Sequence, residues 1–202
     1  MKKTIVLLAG YPATGKSYLC RKILQRLPDF VVVSQDEMKE ELFDRFGFDN
    51  MQEKIQIENR SWELYYETME YHLKIGNSVI SDYPFSEKQK GRIAALADAY
   101  GYQVVTYRLI GDLDVLYERS RKRDLDPGRH LSHLVSCYHK GVVLEDRTKA
   151  DCLVTYDVFM DRCRNRGYGT FCLGHLIEVD VTDYKKINYD KIIGQLCELV
   201  KE

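Results

Sequence analysis

The sequence predicts an α/β protein built on a largely parallel sheet. Apolar runs of strand length alternate along the chain with longer stretches of helical period. The first run, Thr4–Ala9 (TIVLLA), is continuously apolar, as expected of a strand covered on both faces. Apolar residues make up 45% of the 202, enough to fill a substantial core and to argue against wholesale disorder.

The elements follow in order. After Thr4–Ala9, a helix is expected from Gly15 to about Leu27, with Leu19, Ile23, Leu24 and Leu27 on one face and Pro28 stopping it. Phe30–Ser34 (FVVVS) is the second strand, and Met38, Leu42, Phe43 and Phe46 mark the next helix. A long helix spans roughly Met51–Ile75. Within it Glu58, Trp62, Tyr65, Met69 and Leu73 recur at spacings of 4, 3, 4 and 4, and Gly76 serves as cap. At that period the Trp62/Tyr65/Tyr66/Met69 stripe reads as core. Ser78–Ser81 is a short strand, Glu87–Tyr100 a helix, Gln103–Leu109 a strand and Leu113–Arg123 a helix. The stretch Asp124–Gly174 carries helix-like segments around Leu131–Leu144 and Asp157–Arg166 but no clear strand. His175–Val181 is the last strand and Ile187–Val200 a terminal helix. No repeat or linker interrupts the chain, so residues 1–202 read as one domain with a lid or insertion at approximately 119–174.

Composition narrows the function. Lys and Arg number 30 against 31 Asp and Glu, a net charge of −1, which disfavours a nucleic-acid binder held by bulk charge. The longest run free of charged residues, Thr4–Gly15, has 12 residues, short of the roughly 20 of a membrane-spanning helix. The opening MKKTIVLLAG lacks a small-residue cleavage site, so a cytoplasmic location is expected. Six cysteines without a C-x-x-C pair read as free, mostly buried thiols.

Gly10–Ser17 (GYPATGKS) matches G-x-x-x-x-G-K-[ST] in full, directly after a strand and before a helix. Gly10 and Gly15 let the backbone bend so that successive N–H groups surround phosphate oxygens, and the helix N-terminus adds partial positive charge. Residues Gly10, Tyr11, Pro12, Ala13, Thr14, Gly15, Lys16, Ser17 and Tyr18 are therefore the expected nucleotide-binding set. Lys16 would reach the β- and γ-phosphates, and the Ser17 hydroxyl would be an Mg²⁺ ligand. With no N-K-x-D-like guanine-reading segment, ATP is the expected donor.

Ligands of a parallel sheet gather at the carboxyl ends of its strands, and two carboxylates stand there, Asp36 after FVVVS and Asp82 after SVIS. Together with the P-loop, SQDEMKEELF around Asp36 resembles the small P-loop kinases of the polynucleotide-kinase-like and zeta-toxin/chloramphenicol-phosphotransferase-like group. The resemblance implies a three-layer, nucleoside-kinase-like P-loop fold with helices on both faces of a five-stranded parallel sheet ordered 2-3-1-4-5, and a helical lid. It also implies Asp36 as the base facing the acceptor hydroxyl, accompanied by Lys39 where Arg is more usual. A helix N-cap is the other role open to Asp36. NSVISDYPF is similar to the group's third strand, so Asp82 would lie near the metal; alternatively it shapes the turn before Tyr83–Pro84.

LDVLYERSRKRD resembles the group's E-R-x-x-x-R segment, which implies Arg119 and Arg123 as lid arginines that neutralise the transferred phosphoryl group. A solvated basic face paired with Glu118 or Asp124 is the plainer role for both. Arg92 matches a recurrent arginine of these kinases and equally suits the surface. Arg129-His130-Leu131-Ser132-His133 is similar to an R-H-x-x-H element in some members, which offers His130 and His133 as substrate contacts. With Cys137 they could form a zinc set, or simply pack on a helix. Arg162, Arg164 and Arg166 could meet an anionic acceptor or form a solvated face.

These residues point to an ATP- and Mg²⁺-dependent kinase acting on a hydroxyl of a small molecule, such as a nucleoside, sugar derivative or antibiotic. The alternatives are a polynucleotide 5′-hydroxyl kinase and a non-catalytic ATP-binding regulator. The expected partner is the small acceptor; nucleic acid is less favoured, a membrane is not expected, and the sequence sets no oligomeric state.

Overall fold

The computed structural model describes residues 2–201. Five parallel strands, β1 (Thr4–Gly10), β2 (Val31–Val32), β3 (Val79–Asp82), β4 (Gln103–Ile110) and β5 (His175–Asp180), form one sheet in the order β2-β3-β1-β4-β5. Seven α-helices accompany it among the described residues: α1 (Lys16–Arg26), α2 (Gln35–Phe46), α3 (Met51–Lys74), α4 (Glu87–Tyr100), α5 (Leu113–Leu125), α6 (Tyr156–Asn165) and α7 (Tyr189–Lys201). Both the parallel sense and the strand order agree with expectation.

Strand β1 sits at the centre of the sheet and is buried from end to end. Side chains alternate across a strand. Val6 and Leu8 therefore enter a core with Leu19 and Ile23 of α1 and Ile193 and Leu196 of α7. Ile5, Leu7 and Ala9 enter another with Tyr65 and Met69 of α3 and Ile93 of α4. Of the Trp62/Tyr65/Tyr66/Met69 stripe, Tyr65, Tyr66 and Met69 are core as the spacing predicts, but Trp62 at its end is only partly buried. A third cluster, Phe43, Phe48, Leu131, Leu134, Tyr138 and Ala150, lies where the segment after α5 folds against α2 and the α2–α3 corner.

The expected strand Phe30–Ser34 keeps regular geometry only at Val31–Val32, although Val33 N–H still reaches the Ile80 carbonyl at 2.9 Å. It is an edge strand with one neighbour, and Ser34 already turns to cap α2. The helix-like segment Leu131–Leu144 is not a helix. It is a three-residue 3₁₀ turn, Leu131–His133, followed by an antiparallel bridge between Phe48 and Tyr138. Leu131, Leu134 and Tyr138 mimic a helical period because they fill the third cluster from an irregular chain. Of the six thiols, only Cys20 and Cys163 are buried, and Cys137 is exposed. No helix among the described residues is long and apolar enough to cross a membrane.

Gly91, inside α4, has no atom within 4 Å of where a Cβ would stand. Replacing it with Ala is expected to stabilise the protein by about 0.5–1 kcal/mol, because the unfolded chain loses freedom and the helix loses nothing. The check is a rise in the urea midpoint; an unchanged or lower midpoint contradicts the prediction.

Candidate active site

Strand β1 brings Gly10 to the carboxyl edge of the sheet between β3 and β4. Gly10 has φ +105°, and a Cβ there would overlap the Leu109 carbonyl, so no other residue fits. Ala13 and Gly15 also have positive φ, Ala13 being the one such non-glycine residue among those described. The chain thus curls back on itself between the end of β1 and the first turn of α1. The Lys16 ammonium lies within the loop, donating to the Tyr11 carbonyl at 2.6 Å and the Thr14 hydroxyl at 3.3 Å. Burial lowers the Lys16 pKa to about 8, against the pull of Asp82.

Asp82, at the end of β3, accepts a 2.6 Å hydrogen bond from the Ser17 hydroxyl. Burial raises its pKa, with the Ser17 bond opposing and the Asp36 charge adding. A hydroxyl and a carboxylate oxygen converging at the mouth of a phosphate loop are hard donors that suit Mg²⁺.

On the β2 side of the P-loop, the cap of α2 is Ser34, whose hydroxyl accepts from Glu37 N–H at 3.4 Å. Asp36 is thereby released from capping and sits in the first turn, 2.7 Å from the Lys39 ammonium. Burial would raise the Asp36 pKa, but Lys39, His133 and Arg129 together hold it well below the usual carboxylate range. Asp36 is ionised at every working pH.

On the other side of the P-loop, Arg119 donates to the Val181 and Thr182 carbonyls at 2.6 and 2.7 Å and lies over the Tyr184 ring, 3.9 Å from its centroid. Tyr184 in turn reaches Ala13 in the loop at 3.3 Å. Tyr18 packs edge-on against Tyr189, 5.3 Å between centroids. Arg123, one turn beyond Arg119, pairs with Asp124 at 2.9 Å, and its charge acts on Lys16. Both arginines line the cleft, Arg119 tied to the Val181 and Thr182 carbonyls and Arg123 to Asp124.

Lys16, Ser17, Asp36, Asp82, Arg119, Arg123 and Tyr184 line one cleft of about 1050 Å³, while Gly10 and Tyr11 of the expected nucleotide-binding set do not. His133 lines it, with Nε2 2.6 Å from Glu40, while His130 turns to Asp44 at 3.0 Å and is not among the lining residues. The zinc set His130/His133/Cys137 is not assembled, since no helix aligns the three; Cys137 stands instead beside Asp49 and His139. Arg92 is also away from the cleft, stacked over Tyr66 at 4.1 Å. Arg162 and Arg166 line the cleft, and Arg164 does not.

The sequence reading missed Lys54, Glu58 and Trp62 as a wall of this cleft, and Arg129 as a member of it. The available signal was on α3. Continuing its apolar spacing backwards from Trp62 gives Glu58 and Lys54, two charges on a stripe that is otherwise core.

Burial pushes the His133 pKa down to about 4, with Glu40 opposing. An unfolded imidazole binds its proton near 6.5 while the folded one stays neutral, so stability is lost as pH falls from 6.5 towards 4. Between pH 6.5 and 5 this amounts to about 1.5 kcal/mol. Urea unfolding should show that slope in the wild type and a flatter one in His133→Gln; equal slopes would exclude His133 as its source.

A tightly curled G-x-x-x-x-G-K-S loop with its lysine, a Ser–Asp pair beside it and a sheet ordered 2-3-1-4-5 define a P-loop nucleoside-triphosphate-binding protein. The AAA domain family matches residues 5–136, and the chain belongs to that family. No curated protein matches the sequence. Among solved structures the chain is similar to a "putative kinase" from Chloroflexus aurantiacus J-10-fl, at 24% identity and TM-score 0.76 over 98% of both chains. It is also similar to the Deinococcus radiodurans tunicamycin resistance protein, at 15% identity and TM-score 0.52 over 99% of this chain and 96% of that one. A gluconokinase from Sinorhizobium meliloti 1021 gives 14% identity and TM-score 0.51 over 100% and 96%. At these identities the likeness is one of fold.

Proposed function

We propose that the protein is an ATP- and Mg²⁺-dependent kinase that transfers the γ-phosphoryl group to a hydroxyl of a small molecule. The observation that carries this reading is the placement of Asp36 on one side of the P-loop, ionised and in the same cleft as Lys16, Ser17 and Asp82. Two of the fold neighbours are described as kinases, one of them acting on gluconate by its name, which adds support.

Ser17 and Asp82 would hold Mg²⁺, which would supply charge neutralisation at the triphosphate. The loop amides and Lys16 grip the β- and γ-phosphates. Asp36 accepts a hydrogen bond from the acceptor hydroxyl and points its oxygen at phosphorus. As the new O–P bond forms and the bond to the ADP oxygen breaks, the hydroxyl proton passes to Asp36 or on to solvent. A carboxylate with so low a pKa is a weak base, which suits a loose transition state in which orientation counts for more than early proton removal. Arg123 steadies charge on the moving group. Arg119 and Tyr184 flank the loop where the nucleoside would lie.

The test is ADP release with Mg·ATP across a panel of polyols, sugars, nucleosides and 5′-hydroxyl oligonucleotides. Small alcohols should raise turnover above the rate with water alone. Labelled phosphate passing chiefly to oligonucleotides would make the protein a polynucleotide kinase instead. Mg·ATP binding with no acceptor-dependent turnover would favour a regulator.

A further inference from the structure

Lys54 is 6% exposed, yet it lines the cleft. Its ammonium has one protein acceptor, the Val135 carbonyl at 2.9 Å, and lies 5.3 Å from the Phe48 ring centroid. No carboxylate among the described residues pairs with it, in contrast to the equally buried Lys39, which has Asp36. A buried ammonium with donors to spare and no carboxylate in contact, only the charges of Glu58 and Asp151 acting from a distance, is costly and favours a ligand that supplies an anion.

Its surroundings are those of a small-molecule seat. Lys54, Glu58 and Trp62, four residues apart, form one stripe of α3 along the cleft. The Trp62 ring meets Tyr83 edge-on at 4.8 Å, making an aromatic wall beside a carboxylate. The two buried polar atoms without partners among the described residues, Gln35 Oε1 and Arg129 Nε, also belong to cleft-lining residues. Strand order places this wall on the β2 side of the P-loop with Asp36, opposite Arg119 and Tyr184.

The charge balance agrees. Basic side chains lining the cleft outnumber acidic ones nine to four. Mg·ATP brings a net charge of about −2, so a positive surplus remains on the acceptor side.

We propose that the acceptor is an alcohol carrying its own anionic group, a carboxylate or a phosphate, which Lys54 receives while Glu58 and Trp62 hold the hydroxyl-bearing body. This rests on the kinase reading for the word acceptor, but not for the anion site itself.

The experiment uses matched neutral and charged alcohols: glucose with gluconate, ribose with ribose 5-phosphate, and glycerol with glycerate and with glycerol 3-phosphate. Each is measured for binding by calorimetry in the presence of a non-hydrolysable ATP analogue and Mg²⁺, and for phosphoryl transfer by ³¹P NMR with ATP. At least one charged member should bind about tenfold or more tightly than its neutral partner. Lys54→Met should weaken that binding about 10- to 100-fold, and Lys54→Arg should restore part of it. The carboxylate and phosphate arms show which anion is meant.

Equal binding of charged and neutral members, binding of no charged member, or a preference that survives Lys54→Met overturns the proposal. Transfer to neutral alcohols would in that case leave the kinase reading intact. Lys54-dependent binding of a charged member without transfer to any alcohol upholds the anion site and sinks the kinase reading. Should Lys54→Met fail to fold, the neutral-versus-charged comparison on the wild type decides by itself.

Discussion

Asp36→Asn is expected to lower kcat by about 10²-fold or more, because Asn keeps the shape but loses the charge that orients the acceptor hydroxyl and receives its hydrogen bond. The side chain keeps its shape, and α2 keeps its cap, because that role belongs to Ser34. The affinity for Mg·ATP should stay within about threefold, since the phosphate loop follows β1, which β3 separates from β2, and carries its own lysine, Lys16. The substitution also removes the Lys39 ion pair. Its Asp36 side chain is 39% exposed, so screening limits the loss of stability to about 1 kcal/mol.

The pH profile gives a second reading of the same residue. The depressed pKa of Asp36 means that its stabilising effect is present above the ordinary carboxylate range and is lost only as pH falls beneath it. Between pH 5 and 8 no limb of the wild-type rate profile should therefore belong to Asp36. Single-turnover rates and calorimetric titration of Mg·ATP check both statements. A variant that transfers phosphate at the wild-type rate would remove Asp36 from the mechanism.

Gly10→Ala should cost about 3–5 kcal/mol of stability and abolish measurable Mg·ATP binding. The φ of +105° is strained for any L side chain, by about 1–3 kcal/mol. The added methyl would also overlap the Leu109 carbonyl, main-chain of the adjacent strand β4 that cannot rotate aside. Relief requires moving either the β1–β4 pairing or the first residue of the phosphate loop. Gly91→Ala provides the contrast, the same chemical change in open space. Denaturant midpoints of the two variants should shift in opposite directions; a Gly10→Ala protein with wild-type midpoint and nucleotide affinity would show that the loop tolerates a different path.

Why some of this was readable in sequence and some was not follows from locality. The P-loop is a contiguous pattern whose chemistry is carried by backbone bends, so Gly10 to Ser17 can be placed without knowing the fold. The boundaries of α3 and α4 came within a residue because spacing, caps and burial agree there. Asp36 and Asp82 needed one further step, the rule that strand ends converge. The segment from Leu131 to Leu144 misled because its apolar spacing serves a satellite cluster whose other half, Phe43 and Phe48, lies far away in sequence. Lys54 was hidden for the same reason: a lysine on a helix reads as solvated until the fold covers it.

The seating of that irregular segment has a mechanical consequence. His130 and His133 reach Asp44 and Glu40 on α2, the Phe48–Tyr138 bridge ties the α2–α3 corner, and Lys54 fastens α3 to Val135. The helix bearing Asp36 and the chain following Arg129 are thus bolted into a single piece with its own apolar filling. A substitution that loosens either histidine contact is therefore expected to be felt at the first turn of α2, where Asp36 stands, even though neither histidine touches that carboxylate directly.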